Sequence, residues 1–431
     1  MTKRETAEYV LDRLQKAGVQ EAACTVSDGR TDEMNIAAGE LSLMRTTFDA
    51  WLSIKVLKDH KLGTISVNRF DKDTVDRATE ECVALAETAA PDENEGIAEK
   101  AENKSFVQGI FSPDMDGLYN SLSDFMAEVK SKYPTVILED GRGAYQSDDS
   151  VFVNTNGVCF ESQKGYYNYS ILFSAKEGGA SSSFNHTGAR FENFNTPIIE
   201  LGDAREILAD AQKHIHPKTL PQKYVGKIIL TPDCFDDFLD GIDGCYTADG
   251  PLIEGTSIWK DALGTQVADK RLTVSFAPLH PLMVCAERVT TDGYESRDYD
   301  WIKDGVLSSF TLSRYAAKKT GKPRALNSAS CRVAMPGEKT LERIIAETDC
   351  GVLVGRFSGG MPGPSGDFSG VAKNSFLIEK GRVTDSLSET MISGNYAAML
   401  KNLVDLSSER CVNGSQLLPW ACFDGITVSS N

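Results

Sequence analysis

Between residues 135 and 179 four apolar runs follow one another, each closed by a turn signal: TVILEDGRG, SVFVNTNG, VCFESQKG and YYNYSILFSAKEGG. No helical pattern separates them, and parallel strands need a crossover of a dozen or more residues. The pattern therefore predicts an antiparallel meander of short strands, with Asn156-Gly157 as a hairpin turn. Helices bracket it. Leu118, Leu122, Phe125, Met126 and Val129 recur at helical spacing before it, and Asp203-x-x-Glu206 opens a helix carrying Ile207, Leu208 and Ala211 after it.

A similar unit lies upstream. Ala7, Val10, Leu11, Leu14 and Ala17 share one helical face that ends at Gly18, and residues 22–26 read as a strand. Residues 50–70 read as two strands around a turn at 59–63, followed by a helix from Thr74 with Val75, Ala78, Cys82, Leu85, Ala86 and Ala89 inward. The polar stretch PDENEGIAEKAENKS (91–105) and the proline-rich HIHPKTLP (214–221) mark boundaries. Three units are expected, 1–90, 106–216 and 222–431, in keeping with 431 residues being too many for one ordinary core. In the third unit short strands dominate (GKIIL, RLTVSF, GVLVGRF, SFLIEKGRV, GITVSS), with helices near 232–242, 338–346 and 394–406 and a tight hairpin at Lys380-Gly381. The fold class is α+β: N-terminal regions with an antiparallel sheet flanked by helices, then a β-rich C-terminal domain.

Charge narrows the function classes. The net charge of −17 and the absence of a compact basic cluster disfavour nucleic acid, whose affinity comes from neutralising phosphates with Lys and Arg. The ten cysteines are scattered without a CxxC pair, and MTKRETAEYVLDRLQ is too charged for a signal peptide. Reduced thiols in a cytoplasm are the expectation, with no membrane span.

Chemistry is harder to find. The stretch RFSGGMPGPSGDFSG (356–370) lacks the Gly-Lys pair of a phosphate loop, the Gly-x-Gly-x-x-Gly dinucleotide fingerprint and the Gly-x-Ser-x-Gly frame of a nucleophile elbow. None of the five histidines is followed by glutamate, and His214-Ile-His216 reads as a linker at a helix end. The acidic run CFDDFLDGIDG (234–244) reads as a solvated helix face with Phe235, Phe238, Leu239 and Ile242 turned inward, and it lacks the spacing of a calcium loop. Lone cysteines, Cys411 included, read as small buried hydrophobes.

Three elements in order carry a resemblance: Pro364-Ser365-Gly366-Asp367-Phe368, then Leu377-Ile378-Glu379-Lys380-Gly381, then Ile392-Ser393-Gly394-Asn395. Together with EGTSIWKDALGTQVADKRLTV (254–274) they resemble the TldD/PmbA family, and more closely its PmbA (TldE) branch. The resemblance implies a three-part chain related to zinc metallopeptidases that act on small or unfolded peptides. TldD-type members carry a His-Glu-x-x-x-His motif about a dozen residues before 254–274; here that region reads DGIDGCYTADGPLI (240–253), without histidine. Cys411-Val-Asn-Gly-Ser-Gln416 loosely echoes the family's third zinc ligand, so Cys411 is a vestigial-ligand candidate or a chance match. No catalytic or metal residue is assigned, and zinc is expected in a TldD-like partner rather than in this chain. The expected partners are that subunit and/or a second copy, and an extended peptide substrate. Gly359, Gly360, Pro364, Ser365, Gly366, Asp367 and Phe368 are the candidate peptide-groove loop, presenting backbone groups beside a strand for strand addition, or else forming a structural bend. A non-enzymatic self-associating peptide-binding protein and an autonomous hydrolase are the alternatives.

Overall fold

The structure, a computed structural model, describes residues 1–360 and 362–430. Helix α1 (Lys3–Lys16) opens on a capping box in which Thr2 and Glu5 satisfy each other's backbone N–H, and it buries Ala7, Val10 and Leu14. Strands β1 (Glu21–Ala37), β2 (Glu40–Lys58) and β3 (Lys61–Val67) form an antiparallel set, and helix α2 (Lys72–Thr88), capped by Asp71, packs on it. Leu85, expected inward on α2, is instead exposed.

Past the polar stretch come β4 (Lys104–Gly109), α3 (Met115–Lys132), β5 (Val136–Asn154) and β6 (Cys159–Glu177). These strands continue the first sheet rather than starting another. The order is β3-β2-β1-β5-β6-β4, and β1 pairs with β5 in unbroken register from Ala23↔Asn154 to Ala37↔Asp140. The segment 91–105 thus leaves the sheet and returns to it. A further strand, Asn185–Phe191, pairs with β6, and α4 (Ala204–Lys213) and α3 cover one face of the sheet with Leu122, Phe125, Leu208 and Ala211.

The four short strands expected between 135 and 179 are two strands of 19 residues each, joined at the Asn156-Gly157 turn. Gly141, Gly143 and Gly165 had suggested turns, but each lies within a strand where a neighbour comes too close for a side chain. A Cβ on Gly143 would stand 2.6 Å from Leu122 Cδ1, and one on Gly165 would overlap the Ile110 carbonyl. Glycine here permits close packing, not chain reversal.

The C-terminal half has its own sheet. Its centre is Tyr224–Leu230, parallel to Cys350–Val354 on one side and antiparallel to Leu417–Ser430 on the other. Helix α5 (Pro232–Tyr246) lies on it and buries Phe235, Phe238, Leu239 and Ile242. The expected late helices occur at Leu341–Ala346 and Tyr396–Lys401, and Asp249–Ile253 and Arg314–Thr320 add two short ones. Lys380 and Gly381, both at positive φ, turn the hairpin between Ser375–Glu379 and Arg382–Ser388. His214 is a strut between the halves, its ring nitrogens 2.9 Å from the carbonyls of Asp210 and Ser375, whereas His216 is exposed beside Glu177. Among the described residues no helix is long and apolar enough to cross a membrane.

Candidate functional site

The acidic face of α5 is only partly solvated: Asp237 and Asp240 are exposed as expected, whereas Asp236 and Asp243 are half-buried. The strand Arg332–Ala334 runs beside it and brings in Arg332, which is only 2% exposed. Asp236 and Asp240 are one helical turn apart and so lie on one face. The guanidinium forks across them, Nη1 donating to Asp236 at 2.8 Å and Nη2 to Asp240 at 2.7 Å, with its far side over the Phe276 ring. Burial pushes Asp236 and Asp243 above the usual carboxylate range, and lifts Asp237 to about 6. Asp243 Oδ1 accepts from the Thr247 and Thr311 hydroxyls.

Next to this pair opens a cavity of about 350 Å³, lined by Asp240, Asp243, Phe276, Tyr299, Arg324 and Arg332 among others. The Arg332 Nε–H, fully buried, has no hydrogen-bond partner among the described residues.

At the start of α5 a second acidic group crosses between the halves. Asp233 is lifted to about 7, first by burial and then by the charge of Asp203, the residue before α4. Gln416 Nε2 donates to Asp233 at 2.6 Å, and the Thr187 hydroxyl donates to Asp203 at 2.8 Å. Burial raises Asp203 above the usual carboxylate range as well, so both carboxylates sit where ionisation is disfavoured. Cys411 lies nearby, and burial followed by the charges of Asp203 and Asp233 pushes its thiol far up.

A metallopeptidase resemblance implies a divalent metal, and the donors on α5 do not fit one. At 240–245 the chain offers Asp240, Asp243 and Cys245. Asp240 is held by Arg332 and Asp243 by two threonines, while the Cys245 thiol, its pKa raised by burial, faces the carbonyls of Pro362 and Gly363. A fixed guanidinium already supplies the positive charge these carboxylates need. Among the described residues no group of three or more His, Cys, Asp and Glu side chains is placed to hold a metal.

The glycine-rich loop sits against the C-terminal end of α5. Strand Arg356–Gly359 pairs with Asp367–Lys373, which pairs in turn with Thr390–Asn395. Two of the three sequence elements thus meet in register, Asp367 opposite Asn395 and Phe368 opposite Gly394. Asn395 Nδ2 donates to the Ser365 carbonyl at 2.8 Å and to Asp367 at 2.9 Å, and Tyr246 Oη donates to the same carbonyl at 2.9 Å. Tyr396 N–H takes the Gly366 carbonyl at 3.0 Å. Gly366 is at φ +77°, and a methyl group there would overlap Tyr246 Oη.

The predicted loop residues therefore divide. Gly359, Gly360, Pro364, Ser365 and Asp367 are exposed, whereas Gly366 and Phe368 are buried. The Phe368 ring belongs to an aromatic cluster with Phe238, Phe357 and Tyr396, and Gly394 leaves room for it. Met361, inside the loop, lies outside the described residues. The strand Arg356–Gly359 pairs along one edge only among the described residues, with Ser358 and Gly359 exposed. Arg332 and the Asp203–Asp233 pair carried no signal in the sequence, since their partners are far away along the chain.

Such a cavity can orient and charge-balance a ligand, and among its lining hydroxyls Ser313 donates to Asp249 at 2.6 Å. Residues 221–430 match the PmbA/TldA metallopeptidase C-terminal domain, and residues 22–86 match PmbA/TldA metallopeptidase domain 1. The class defined is a metallopeptidase-type fold of N-terminal and C-terminal parts. Among curated relatives, the metalloprotease PmbA homolog of Haemophilus influenzae is 23% identical, aligned over 94% of this chain and 91% of its own length. The metalloprotease PmbA of Escherichia coli O157:H7 is also 23% identical, over 96% of this chain and 94% of its own. Among solved structures, TldE from Thermococcus kodakarensis superposes with a TM-score of 0.83 at 20% identity, over 99% of this chain and 100% of that one. The chain belongs to the PmbA/TldD metallopeptidase family.

Proposed function

We propose that this chain is a PmbA/TldE-type subunit without zinc of its own, which pairs with a TldD-like zinc metallopeptidase in the processing of small or unfolded peptides. The observation that carries this reading is the Arg332 fork on Asp236 and Asp240, which places a fixed organic cation on the helix where the resemblance puts the metal motif. The exposed edge at 356–359, beside a loop pinned by Tyr246 and Asn395, supports strand addition of an extended peptide, which reads backbone more than side chains. The net charge of −17 supports a peptide rather than a nucleic-acid ligand, and ten free cysteines support a reducing cytoplasm. The test is cleavage of an unfolded peptide by the chain alone, by a TldD-like zinc protein alone, and by the mixture. Cleavage that needs the mixture and is abolished by a chelator is expected. Chelator-resistant cleavage by this chain alone contradicts the reading and favours an autonomous hydrolase.

A further inference from the structure

The cavity of about 350 Å³ beside α5 is lined by charges of both signs, and the protein around it leaves them unequally matched. Two arginines line it. Arg332 is committed to Asp236 and Asp240. Arg324 is not committed to any acid. Its guanidinium carbon lies 3.7 Å from the centre of the Tyr294 ring, and Nη1 donates to the Ala325 carbonyl at 2.6 Å. Among the described residues it has no carboxylate partner. Stacking and one backbone bond hold the group still, so its other N–H groups meet an incoming acceptor at little cost in side-chain freedom.

The acids divide in the same way. Asp249 is occupied, since the Ser313 N–H and hydroxyl donate to its two oxygens at 2.9 and 2.6 Å. Asp243 takes the Thr247 and Thr311 hydroxyls on Oδ1 alone, and no cation bonds it among the described residues. Asp292 accepts only the Arg314 N–H, at 2.8 Å. A purely anionic ligand would face Asp243 and Asp292, and a purely cationic one would face Arg324. A ligand with both charges satisfies the set. The remaining wall is apolar: the Phe276 and Tyr299 rings stack with centroids 5.4 Å apart, and Leu312 and Ala325 are buried beside them. The volume is that of about a dozen waters, hence of a ligand with about a dozen non-hydrogen atoms.

We propose that this cavity binds a small zwitterion, a free amino acid or dipeptide with apolar side chains, its carboxylate on Arg324 and its ammonium on Asp243. The site needs neither zinc nor a second chain, so it stands whether or not the peptidase pairing holds. The two ligand types differ in the spacing of their charged ends, and the tighter of them reports the gap between Arg324 and Asp243.

Titration calorimetry of the whole chain with phenylalanine and with the dipeptide Ala-Ala is the test. The better of the two is expected to bind with a Kd of about 1 mM or below. Its C-terminal amide, which lacks the carboxylate, and its N-acetyl form, which lacks the ammonium, each bind about tenfold more weakly or worse. Arg324→Gln weakens the free ligand about tenfold and leaves the amide unchanged. Asp243→Asn keeps an acceptor for both threonine hydroxyls, weakens the free ligand about tenfold and leaves the N-acetyl form unchanged. Three results overturn the proposal: no binding of either zwitterion, a blocked form that binds wild type as tightly as its parent, or a variant that weakens free and blocked forms alike. The second is read on the wild-type chain, so it does not depend on either variant folding.

Discussion

Replacing Arg332 by methionine keeps the bulk of the side chain over Phe276 and removes the cation that, among the described residues, alone bonds Asp236. The two carboxylates respond differently. The Asp240 side chain is 75% exposed, so water screens it and its half of the fork adds little. The Asp236 side chain is 25% exposed and its pKa is already raised by burial, so it is left as an uncompensated buried charge. Breaking a buried pair from one side costs about 3–5 kcal/mol. For a unit the size of the C-terminal half this lowers the melting temperature by roughly 10 °C. The deficit depends on pH in a defined direction. Without Arg332 the Asp236 pKa climbs further above its unfolded value, so folding takes up a proton between the two. The variant therefore regains stability as pH falls through that window, and the gap to wild type is wide at pH 8 and narrower at pH 5. Urea unfolding followed by tryptophan fluorescence and far-ultraviolet circular dichroism at both pH values measures it. A variant as stable as wild type at pH 8, or an equal deficit at both, refutes the reasoning.

Three other outcomes follow from the same contacts. Asp233 titrates at about 7 in the folded chain, far above an unfolded carboxylate, so stability is lost as pH rises from about 4 to 7. Asp233→Asn keeps an acceptor for Gln416 and is expected to gain up to about 4 kcal/mol at pH 8 and nothing at pH 4, read as urea midpoints. Gly366→Ala forces a methyl group onto Tyr246 Oη at a positive-φ position, and is expected to cost about 2 kcal/mol and speed proteolytic nicking at 359–366. Gly143→Val drives Leu122 from its seat at a cost of about 1–3 kcal/mol, and Leu122→Ala in the same chain recovers part of it, which a turn glycine would not show.

Local patterns were legible in the sequence and distant ones were not. The helices at Lys3–Lys16 and Met115–Lys132 follow from apolar residues one turn apart, and Lys380-Gly381 follows from turn chemistry, because each is decided by neighbours along the chain. Glycines misled where sequence alone cannot separate a turn from a close approach: Gly143 and Gly165 are flat strand positions pressed by Leu122 and Ile110. The loop motif was recognisable, and the structure explains its spacing, since Asn395 reaches back to Ser365 and Asp367 in the facing strand. On α5 the solvated face holds for Asp237 and Asp240, and it fails at Asp236 because the cover there is remote along the chain. Arg332 bonds Asp236 and Asp240 across 96 and 92 residues, and nothing near CRV at 331–333 announces it.

On the proposed function, Arg332 neutralises the acidic site of α5 in place of a metal. Zinc per chain, measured by plasma mass spectrometry after refolding with excess zinc and removal of loosely bound metal, tests it most directly. Well under one zinc per chain is expected, with unfolding midpoints unchanged by a chelator. One zinc per chain, removed by chelator with a drop in stability, contradicts it.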